Sequence, residues 1–365
     1  MDTSFLKPLY RRRGPWCSVY LSTARDETRA EHEIELRWRE LRGRLAELGA
    51  AERDLRAIDG EVGSDRGLPK PHGQAIFAAH GDVALMRELR APLAVSHAAF
   101  GELPDLVPLL AETQDLGPYL VVFADRGGAD VELHGSGHRP ADERVDGPAH
   151  VLAKGASGDW RQDRHQRRAE NSWQDNARAV AARVEQIAEE CAAAMIALSG
   201  DARVRAAVLA ELGPSWRARA VELPGSDAPG ADTEAVRRQA ARSAAEFEQA
   251  WRADMVDRYA NGLAHEKAVE GLEASVESLR NGDVDTLLVR HGLPEAAAPV
   301  WWGPEPGQLA VHAEQLQGTR APQVRRGRAV DALIRATTLE GGGLLLLSGA
   351  EPGPSETAGA ILRRG

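Results

Sequence analysis

The chain has 365 residues, of which 43% are hydrophobic and 27% charged, and this balance excludes a disordered or fibrous protein. Its length exceeds what one ordinary hydrophobic core serves, so we expect two or three domains of about 100 to 200 residues each. The net charge of −10 excludes indiscriminate coating of nucleic acid. Any contact with RNA must therefore be made through a local basic patch.

The chain contains only two cysteines, Cys17 and Cys191, which lie far apart in the sequence. They exclude a disulfide scaffold and a cysteine-based zinc cluster, and they indicate a reducing cytoplasm. No apolar run has the length of a signal peptide or of a membrane span, so neither export nor membrane insertion is expected. The histidines lack HExxH spacing and no Walker-type sequence is present, so we expect no metal and no cofactor.

Residues 1–116 have the pattern of a small α+β domain. Prolines within Leu103–Leu110 predict a connector or a short strand there rather than a helix. The other predicted elements are a buried strand at Trp16–Ser22, helices at Asp26–Leu48 and Ala51–Ile58, and two strands within Gly73–Leu89 around a turn at His80–Asp82.

Residues 117–256 alternate between strand and helix patterns, which predicts an α/β layer. Pro118–Gly135 is typical of a β-hairpin with its turn at Gly127–Gly128. Asp201 is a candidate helix cap. Further strands are predicted at His150–Ala153, Met195–Ser199 and Ala218–Leu223, and helices over a long segment ending near Ala193 and at Ala202–Leu212.

Residues 257–365 form the third predicted domain, entered through a long helix from Thr233 to about Tyr259. Its apolar runs are continuous, which favours a sheet covered on both faces. Trp301 and Trp302 either cover this sheet or form an exposed protein-binding patch, and both alternatives stay open. The predicted elements are helices at Ala264–Leu279 and Arg326–Leu339 and strands at Asp285–Arg290, Leu344–Ser348 and Ala360–Arg363.

The strongest functional signal is the stretch Lys154–Trp173, a glycine-containing loop followed by a basic helix. Arg161, Arg164 and Arg168 are expected on one side of this helix. The opposite side carries the apolar stripe of Ala169, Trp173, Ala177, Val180, Val184 and Ile187.

Guanidinium groups beside a flexible glycine backbone are suited to binding phosphate, so we predict an RNA-binding segment. Trp160 is expected either to stack on a base or to plug the loop from below. In the alternative interpretation the arginines only solvate an exposed helix face and pair with Asp159, Asp163 and Glu170. The predicted RNA-binding residues are Lys154, Gly155, Gly158, Trp160, Arg161, Arg164, His165, Arg167 and Arg168.

Several passages resemble one protein family in the same order along the chain. They are Pro118–Gly135, Lys154–Ala177, Met255–Arg290 and Gly359–Arg364. They are similar to the archaeal and eukaryotic class-1 peptide-chain release factors and to their bacterial relatives, which include Vms-type peptidyl-tRNA hydrolases and Balon-type ribosome hibernation factors.

The resemblance implies a ribonuclease-H-like fold for residues 117–256 and an α/β/α fold like that of kink-turn-binding ribosomal proteins for residues 257–365. It implies the ribosome as partner, through ribosomal RNA and P-site tRNA, and a translational GTPase bound by the last domain. It further implies docking in the A site with the basic loop toward the peptidyl-transferase centre, in hibernation, stress response or rescue. No membrane and no DNA partner is expected.

The chain departs from the family at the release loop, where the family has Gly-Gly-Gln as consecutive residues. Here Gly158 is followed by Asp159, Trp160 and Arg161 before Gln162. A glutamine amide can order water and donate to a developing oxyanion, so Gln162 is the candidate catalytic residue of an alternative function, peptidyl-tRNA hydrolysis. The codon-reading motifs of termination factors are absent from residues 1–116, so no stop-codon recognition is expected.

A second alternative is a metal-dependent nuclease, because a ribonuclease-H-like fold can carry two metal ions. Asp125 and Asp201 each follow a predicted strand, where such an enzyme places carboxylate ligands. The competing interpretation is that these aspartates form a turn and a helix cap, positions that aspartate favours.

Overall fold

The computed structural model describes residues 3–23, 30–64, 73–89, 93, 95–113, 117–135, 142–146, 162–191, 193–223, 233–316 and 324–363. They form two compact units. Unit 1 comprises Met1–Gln114 and Arg252–Gly365, and unit 2 comprises Asp115–Trp251. The mixed α/β class expected from the sequence is confirmed. The division into three domains at residues 116/117 and 256/257 stays a prediction.

The first segment of unit 1 builds an antiparallel sheet with strand order β3-β2-β1-β4. One face of this sheet is covered by two helices that bury Trp38, Leu45 and Ile58 against it. The elements are α1 (Lys7–Tyr10), β1 (Trp16–Ser22), α2 (Ala30–Glu47), α3 (Glu52–Asp59), β2 (Gly73–Ala79), β3 (Asp82–Leu89), β4 (His97–Gly101) and α4 (Val107–Thr113).

The tight turn between β2 and β3 lies where the sequence predicts it. His80 and Gly81 both have positive φ, 58° and 83°, as a two-residue turn of the primed type requires. The Gly81 N–H donates to the buried carboxylate of Asp54, which ties the turn to α3.

The prediction that prolines exclude a helix within Leu103–Leu110 is wrong. Helix α4 begins at Val107, so Pro108 is its second residue. The first turn of a helix has no intrahelical partner for its N–H groups, and proline therefore costs nothing there.

Unit 2 contains a sheet of order β7-β6-β5-β8-β9. Strands β5, β6 and β7 are antiparallel neighbours, and β8 and β9 run parallel to β5. This order is that of the ribonuclease-H-like fold expected for the segment. The elements are β5 (Tyr119–Asp125), β6 (Gly128–His134), β7 (Asp142–Asp146), α5 (Gln162–Glu190), β8 (Met195–Gly200), α6 (Ala202–Glu211), α7 (Pro214–Arg217) and β9 (Ala220–Glu222).

Two details of unit 2 differ from the sequence prediction. The hairpin turn is Arg126–Gly127, one residue earlier than predicted, because Gly128 already pairs with Asp125. Strand β7 was not predicted, since its sequence DERVD carries a single apolar side chain, Val145, toward the core. The strand predicted at His150–Ala153 lies outside the described residues.

The last segment of the chain completes unit 1 with two further sheets, of order β10-β16-β11-β15 and β13-β12-β14. The elements are α8 (Thr233–Ala264), which begins in unit 2, then β10 (Ala268–Glu270), α9 (Leu272–Asn281), β11 (Val284–Arg290), β12 (Pro299–Trp302), β13 (Leu309–Ala310), β14 (Arg325–Arg328), α10 (Ala329–Glu340), β15 (Gly343–Leu347) and β16 (Ala358–Leu362).

Two predicted helices of this segment are shorter than expected. Ala264–Leu279 contains the strand β10, which pairs with β16, before α9 begins. The helix predicted from Arg326 begins at Ala329, because Arg325–Arg328 pairs with β12. In both places pairing with a distant strand prevails over the local helical pattern.

The two segments of unit 1 share one hydrophobic core. Trp16, Tyr20 and Phe77 of the first segment belong to the same buried cluster as Trp302 and Leu333 of the last. Of the two tryptophans left open by the sequence, Trp302 is buried and Trp301 is half-buried.

Cys17 and Cys191 are both free thiols. Among the described helices, none combines the length and the apolar character needed to cross a bilayer.

Candidate nucleic-acid interface

The segment predicted to bind RNA leads into helix α5 of unit 2. Gln162 is the first residue of this helix. Its first two turns contain Arg164, His165, Arg167 and Arg168. The structure describes the backbone of these residues but not their side chains. Five of the predicted residues precede the helix and lie outside the described residues: Lys154, Gly155, Gly158, Trp160 and Arg161.

Helix α5 is held against the sheet by its apolar stripe. Ala177, Val180 and Val184 are buried, as the sequence periodicity predicts. Ile187 packs against the same cluster but is half-buried. Ala169 and Trp173 belong to the part of the helix whose side chains are not described.

Polar contacts at two levels of the helix fix its position further. The side-chain amide of Asn176, which is 6% exposed, donates to the backbone oxygen of Arg126 at 3.1 Å. About two turns later, Arg183 forms two hydrogen bonds with Glu143 of β7, at 2.6 and 2.8 Å. The fork geometry of the second contact fixes orientation as well as distance. Helix α5 is therefore clamped to both the β5–β6 turn and the edge strand β7.

The contact of Asn176 shows at which end of the sheet the first half of α5 lies. Asn176 contacts the turn that follows β5, so this part of α5 lies at the carboxyl ends of β5 and β8. At a rise of 1.5 Å per residue, the start of the helix at Gln162 is about 21 Å farther along the axis than Asn176. The basic residues Arg164–Arg168 thus lie on the part of α5 that precedes its clamp.

Asp125, at the end of β5, is engaged as a turn former and as an ion-pair partner. Its carboxylate accepts from the N–H groups of Gly127 and Gly128 at 2.6 and 3.0 Å and from Arg144 at 2.9 and 3.2 Å. Burial raises the pKa of Asp125, but the hydrogen bonds from Arg144 and Gly127 outweigh it, so this pKa lies below its ordinary value.

Arg144 of β7 connects three carboxylates at this end of the hairpin. Besides Asp125 it contacts Asp130 at 3.2 Å and Asp146 at 3.3 Å. The pKa of Arg144 is raised, mainly by the hydrogen bond to Asp125. The acidic groups here already have a cation, which makes them poor ligands for a further one.

Asp201, which follows β8, caps helix α6. Its carboxylate accepts from the N–H groups of Arg203 and Val204 at 2.9 and 3.3 Å, and Arg126 approaches it at 3.7 Å. Within the described ranges no group of three His, Cys, Asp or Glu side chains is arranged to hold a metal ion. Asp125 therefore forms a turn and Asp201 caps a helix, as the competing interpretation of the sequence proposed.

A second clamp joins β6 to the start of α8 in unit 2. Arg237 forms hydrogen bonds with both oxygens of Glu132, at 2.9 and 2.6 Å, and His134 contacts the same carboxylate at 2.8 Å. The hydrogen bonds from Arg237 are the largest reason that the pKa of Glu132 lies below its ordinary value.

Sequence reasoning missed the residues that position α5, namely Asn176, Arg183, Glu143 and Arg126. Asn176 offers one signal, because it is a polar residue beside the apolar stripe of a helix. Arg183 and Glu143 are charged residues whose pairing depends on a register that the sequence does not reveal, and Arg126 contributes only its backbone oxygen.

The model of bacterial archaeo-eukaryotic release factor family 2 matches residues 118–265. Two uncharacterized proteins of Mycobacterium tuberculosis, from strains CDC 1551 / Oshkosh and H37Rv, are 26% identical to this chain over 380 residues, covering 100% of it and 97% of their own length.

Solved structures of low sequence identity are also similar. A structure of ribosome-bound archaeal Pelota with ABCE1 matches with a TM-score of 0.43 and 15% identity, over 99% of this chain and 94% of the other. Dom34 of S. cerevisiae, a translation termination-like factor, matches with a TM-score of 0.41 and 11% identity, over 80% of this chain and 79% of the other.

Proposed function

We propose that this chain, whose residues 118–265 match a release-factor-like family of bacteria, acts on the ribosome as a release-factor-like protein. The family match is the observation that carries the proposal. It covers the β5–β6 hairpin, the segment Lys154–Arg168 and the whole of α5.

The architecture of unit 2 supports this function in physical terms. A helix clamped at Asn176 and Arg183 is a rigid support for the basic residues on its first turns. Fixing a charged segment before binding lowers the entropy lost on binding. A cationic segment in a chain of net charge −10 restricts contact with a polyanion to that segment.

The finer proposal is docking in the ribosomal A site with the segment Lys154–Arg168 toward the peptidyl-transferase centre, as a hibernation, stress or rescue factor in the cytoplasm. Its contacts are ribosomal RNA and the P-site tRNA, and its last segment binds a translational GTPase. The arginines provide forked donors for the RNA backbone, and the glycines allow close approach of the chain.

Charge reversal of the helix start tests ribosome binding. We expect Arg164→Glu/Arg168→Glu to weaken co-sedimentation with ribosomes at least about tenfold and to reduce its dependence on salt, because two phosphate contacts become repulsive. The measurement is the bound fraction across a ribosome titration at several salt concentrations, in extracts of growing and starved cells and with purified ribosomes.

The matched control is Arg238→Glu/Arg242→Glu on α8. These arginines are exposed and have the same four-residue spacing, and the double substitution changes the net charge equally. It should bind like the wild type. If the Arg164/Arg168 variant also binds like the wild type, the basic helix start is only a solvated surface and the proposal fails.

Hydrolysis of peptidyl-tRNA is the second candidate function. Its supporting observation is that Gln162 occupies the first position of α5 and follows the glycine-containing sequence that begins at Lys154. The first N–H groups of a helix have no intrahelical partner, which makes a helix start a suitable place to stabilise developing negative charge.

We expect Gln162→Ala to abolish release of peptide from peptidyl-tRNA on 50S subunits while leaving co-sedimentation unchanged. Gln166→Ala, one turn later in the same helix, is the control and should release peptide at the wild-type rate. If the wild-type protein binds and releases nothing, the function is occupancy of the ribosome without chemistry.

A further inference from the structure

Unit 1 contains a cavity lined by both of its segments and rich in arginine. Its volume is about 130 Å³, and five arginines line it together with a single carboxylate, Glu102. Arg11, Arg12 and Arg13 follow helix α1, Arg325 lies on β14, and Arg335 lies on α10. This concentration of positive charge is unexpected in a chain of net charge −10.

Arg335 is the buried charge of the cavity, since only 5% of it is exposed. It donates to the backbone oxygen of Pro304 at 2.5 Å, and its guanidinium lies 4.8 Å from the centroid of the Trp302 ring. Among the described residues it forms no ion pair with a carboxylate. Glu305 influences the pKa of Arg335 electrostatically but does not contact it. Burial lowers its pKa, which reflects the cost of this charge.

The single carboxylate that lines the cavity already has an ion-pair partner. Glu102 is paired with Arg325, whose guanidinium also lies 5.8 Å from the centroid of the Trp302 ring. Arg12 pairs with Asp82 at 2.6 Å, outside the cavity. A buried charge without a counter-ion is costly, so an anion bound in the cavity would compensate the charge of Arg335.

The size and the donors of the cavity define the anion. One buried water needs about 10 to 15 Å³ of cavity volume, so this cavity has room for roughly ten water-sized atoms. A diphosphate group has about that number of non-hydrogen atoms. Arginine forks match phosphate oxygens in pairs, and several forks around one site suit a group with more than one negative charge.

We propose that this cavity is a binding site for a diphosphate-bearing small molecule, with Arg335 at its base and Arg11 and Arg13 at its exposed mouth. Tyr10 lines the same cavity and supplies a hydroxyl donor. The aromatic rings of Trp16 and Trp302 form its apolar wall. The site lies in unit 1, so the inference goes beyond the ribosome-binding function proposed for unit 2.

Calorimetric titration of the full chain with inorganic pyrophosphate, ADP and GDP tests the site at low ionic strength. We expect saturable one-to-one binding. Equal affinity for the three means that the site recognises the diphosphate alone, and tighter binding of a nucleotide means that its base or sugar adds contacts.

The variant Arg11→Ala/Arg13→Ala should bind at least about tenfold more weakly, because both side chains are exposed and their loss leaves the fold intact. Arg44→Ala/Arg56→Ala removes two exposed arginines of α2 and α3 as a control and should bind like the wild type. Lack of saturable binding to all three ligands, or equal weakening in both variants, would overturn the proposal.

Arg335→Met provides a second readout that separates binding from folding. Replacing an unpaired buried charge by an apolar side chain should keep or raise the melting temperature of the free protein. Pyrophosphate should raise the melting temperature of the wild type and leave that of the variant unchanged. A variant that unfolds at much lower temperature, or that is still stabilised by pyrophosphate, contradicts the role given to Arg335.

Discussion

At the scale of single residues, this protein uses arginine to hold carboxylates at defined distances. Arg144 contacts three aspartates in unit 2, and in unit 1 Arg328 contacts Asp331 at 2.6 Å and Asp105 at 2.6 Å. Burial raises the pKa of Asp331 to about 6 even though Arg328 lowers it. Planar forks with fixed geometry suit this use better than lysine would.

Glu340, the last residue of α10, gives a pH dependence with a defined sign. Among the described residues nothing hydrogen-bonds its buried Oε2, and burial raises its pKa from 4.5 to about 7. Because the folded-state pKa exceeds the unfolded one, this group favours folding below about pH 4.5, and its contribution is lost as the pH rises through 7.

We therefore expect Glu340→Gln to remove a loss of stability that the wild type shows between pH 5 and pH 8. The measurement is the urea midpoint of both proteins across this range, and the readout is the difference between them. Glu40→Gln, on the exposed face of α2, is the control and should parallel the wild type. Parallel curves for Glu340→Gln and the wild type would contradict the prediction.

The candidate site was only partly predictable from the sequence at this scale. The burial of Ala177, Val180 and Val184 on α5 and the cap at Asp201 follow from local spacing and residue type, and the structure confirms them. The partners of Arg144 and Arg183 do not follow, because β7 was not recognised as a strand. The contacts of Gln162, Arg164 and Arg168 stay predictions.

At the scale of elements, local chemistry determined which predictions succeeded. The β2–β3 turn and the β5–β6 hairpin are specified by residues adjacent in sequence, and both were located to within one residue. Strands β10 and β14 depend on partners far away in the chain, β16 and β12. Such pairings override local propensity and leave no periodic signal.

Gly81 in the β2–β3 turn should be intolerant of a side chain. Its φ of 83° is a conformation that alanine adopts only with strain, so we expect Gly81→Ala to destabilise the protein by about 1 kcal/mol or more. The measurement is the shift in the urea unfolding midpoint of the full chain.

Gly43 in the interior of α2 is the matched control. A Cβ added there meets nothing within 4 Å. Gly43→Ala should therefore stabilise the protein by about 0.5 to 1 kcal/mol, since alanine favours the helix. Equal effects of the two substitutions would mean that the turn conformation is not what constrains Gly81.

At the scale of the whole molecule, unit 1 is built from two segments that are far apart in the chain. Arg325 pairs with Glu102 and Arg328 with Asp105, each across 223 positions of sequence. The hydrophobic cluster behind these pairs contains side chains of both segments. The described hydrophobic clusters of unit 2, by contrast, contain only side chains from residues 119–247.

This arrangement predicts how fragments behave. Residues 115–251 should fold when expressed alone, whereas residues 1–114 and 252–365 should be soluble only when expressed together, and should then purify as a complex. Circular dichroism and the dispersion of NMR amide signals provide the measurement. A well-dispersed spectrum from residues 1–114 alone would contradict the shared core.

The discontinuity of unit 1 has a consequence during synthesis. At elongation rates of about 5 to 20 residues per second, the final segment follows the completion of residue 114 only after roughly 10 to 50 s. Throughout that interval the nascent chain presents the apolar surface of Trp16, Tyr20 and Phe77 without its partner. Chaperones that bind nascent polypeptides therefore have a long time in which to bind this apolar surface. We expect unit 2 to fold during the same interval, because its residues are synthesised before the last segment of unit 1.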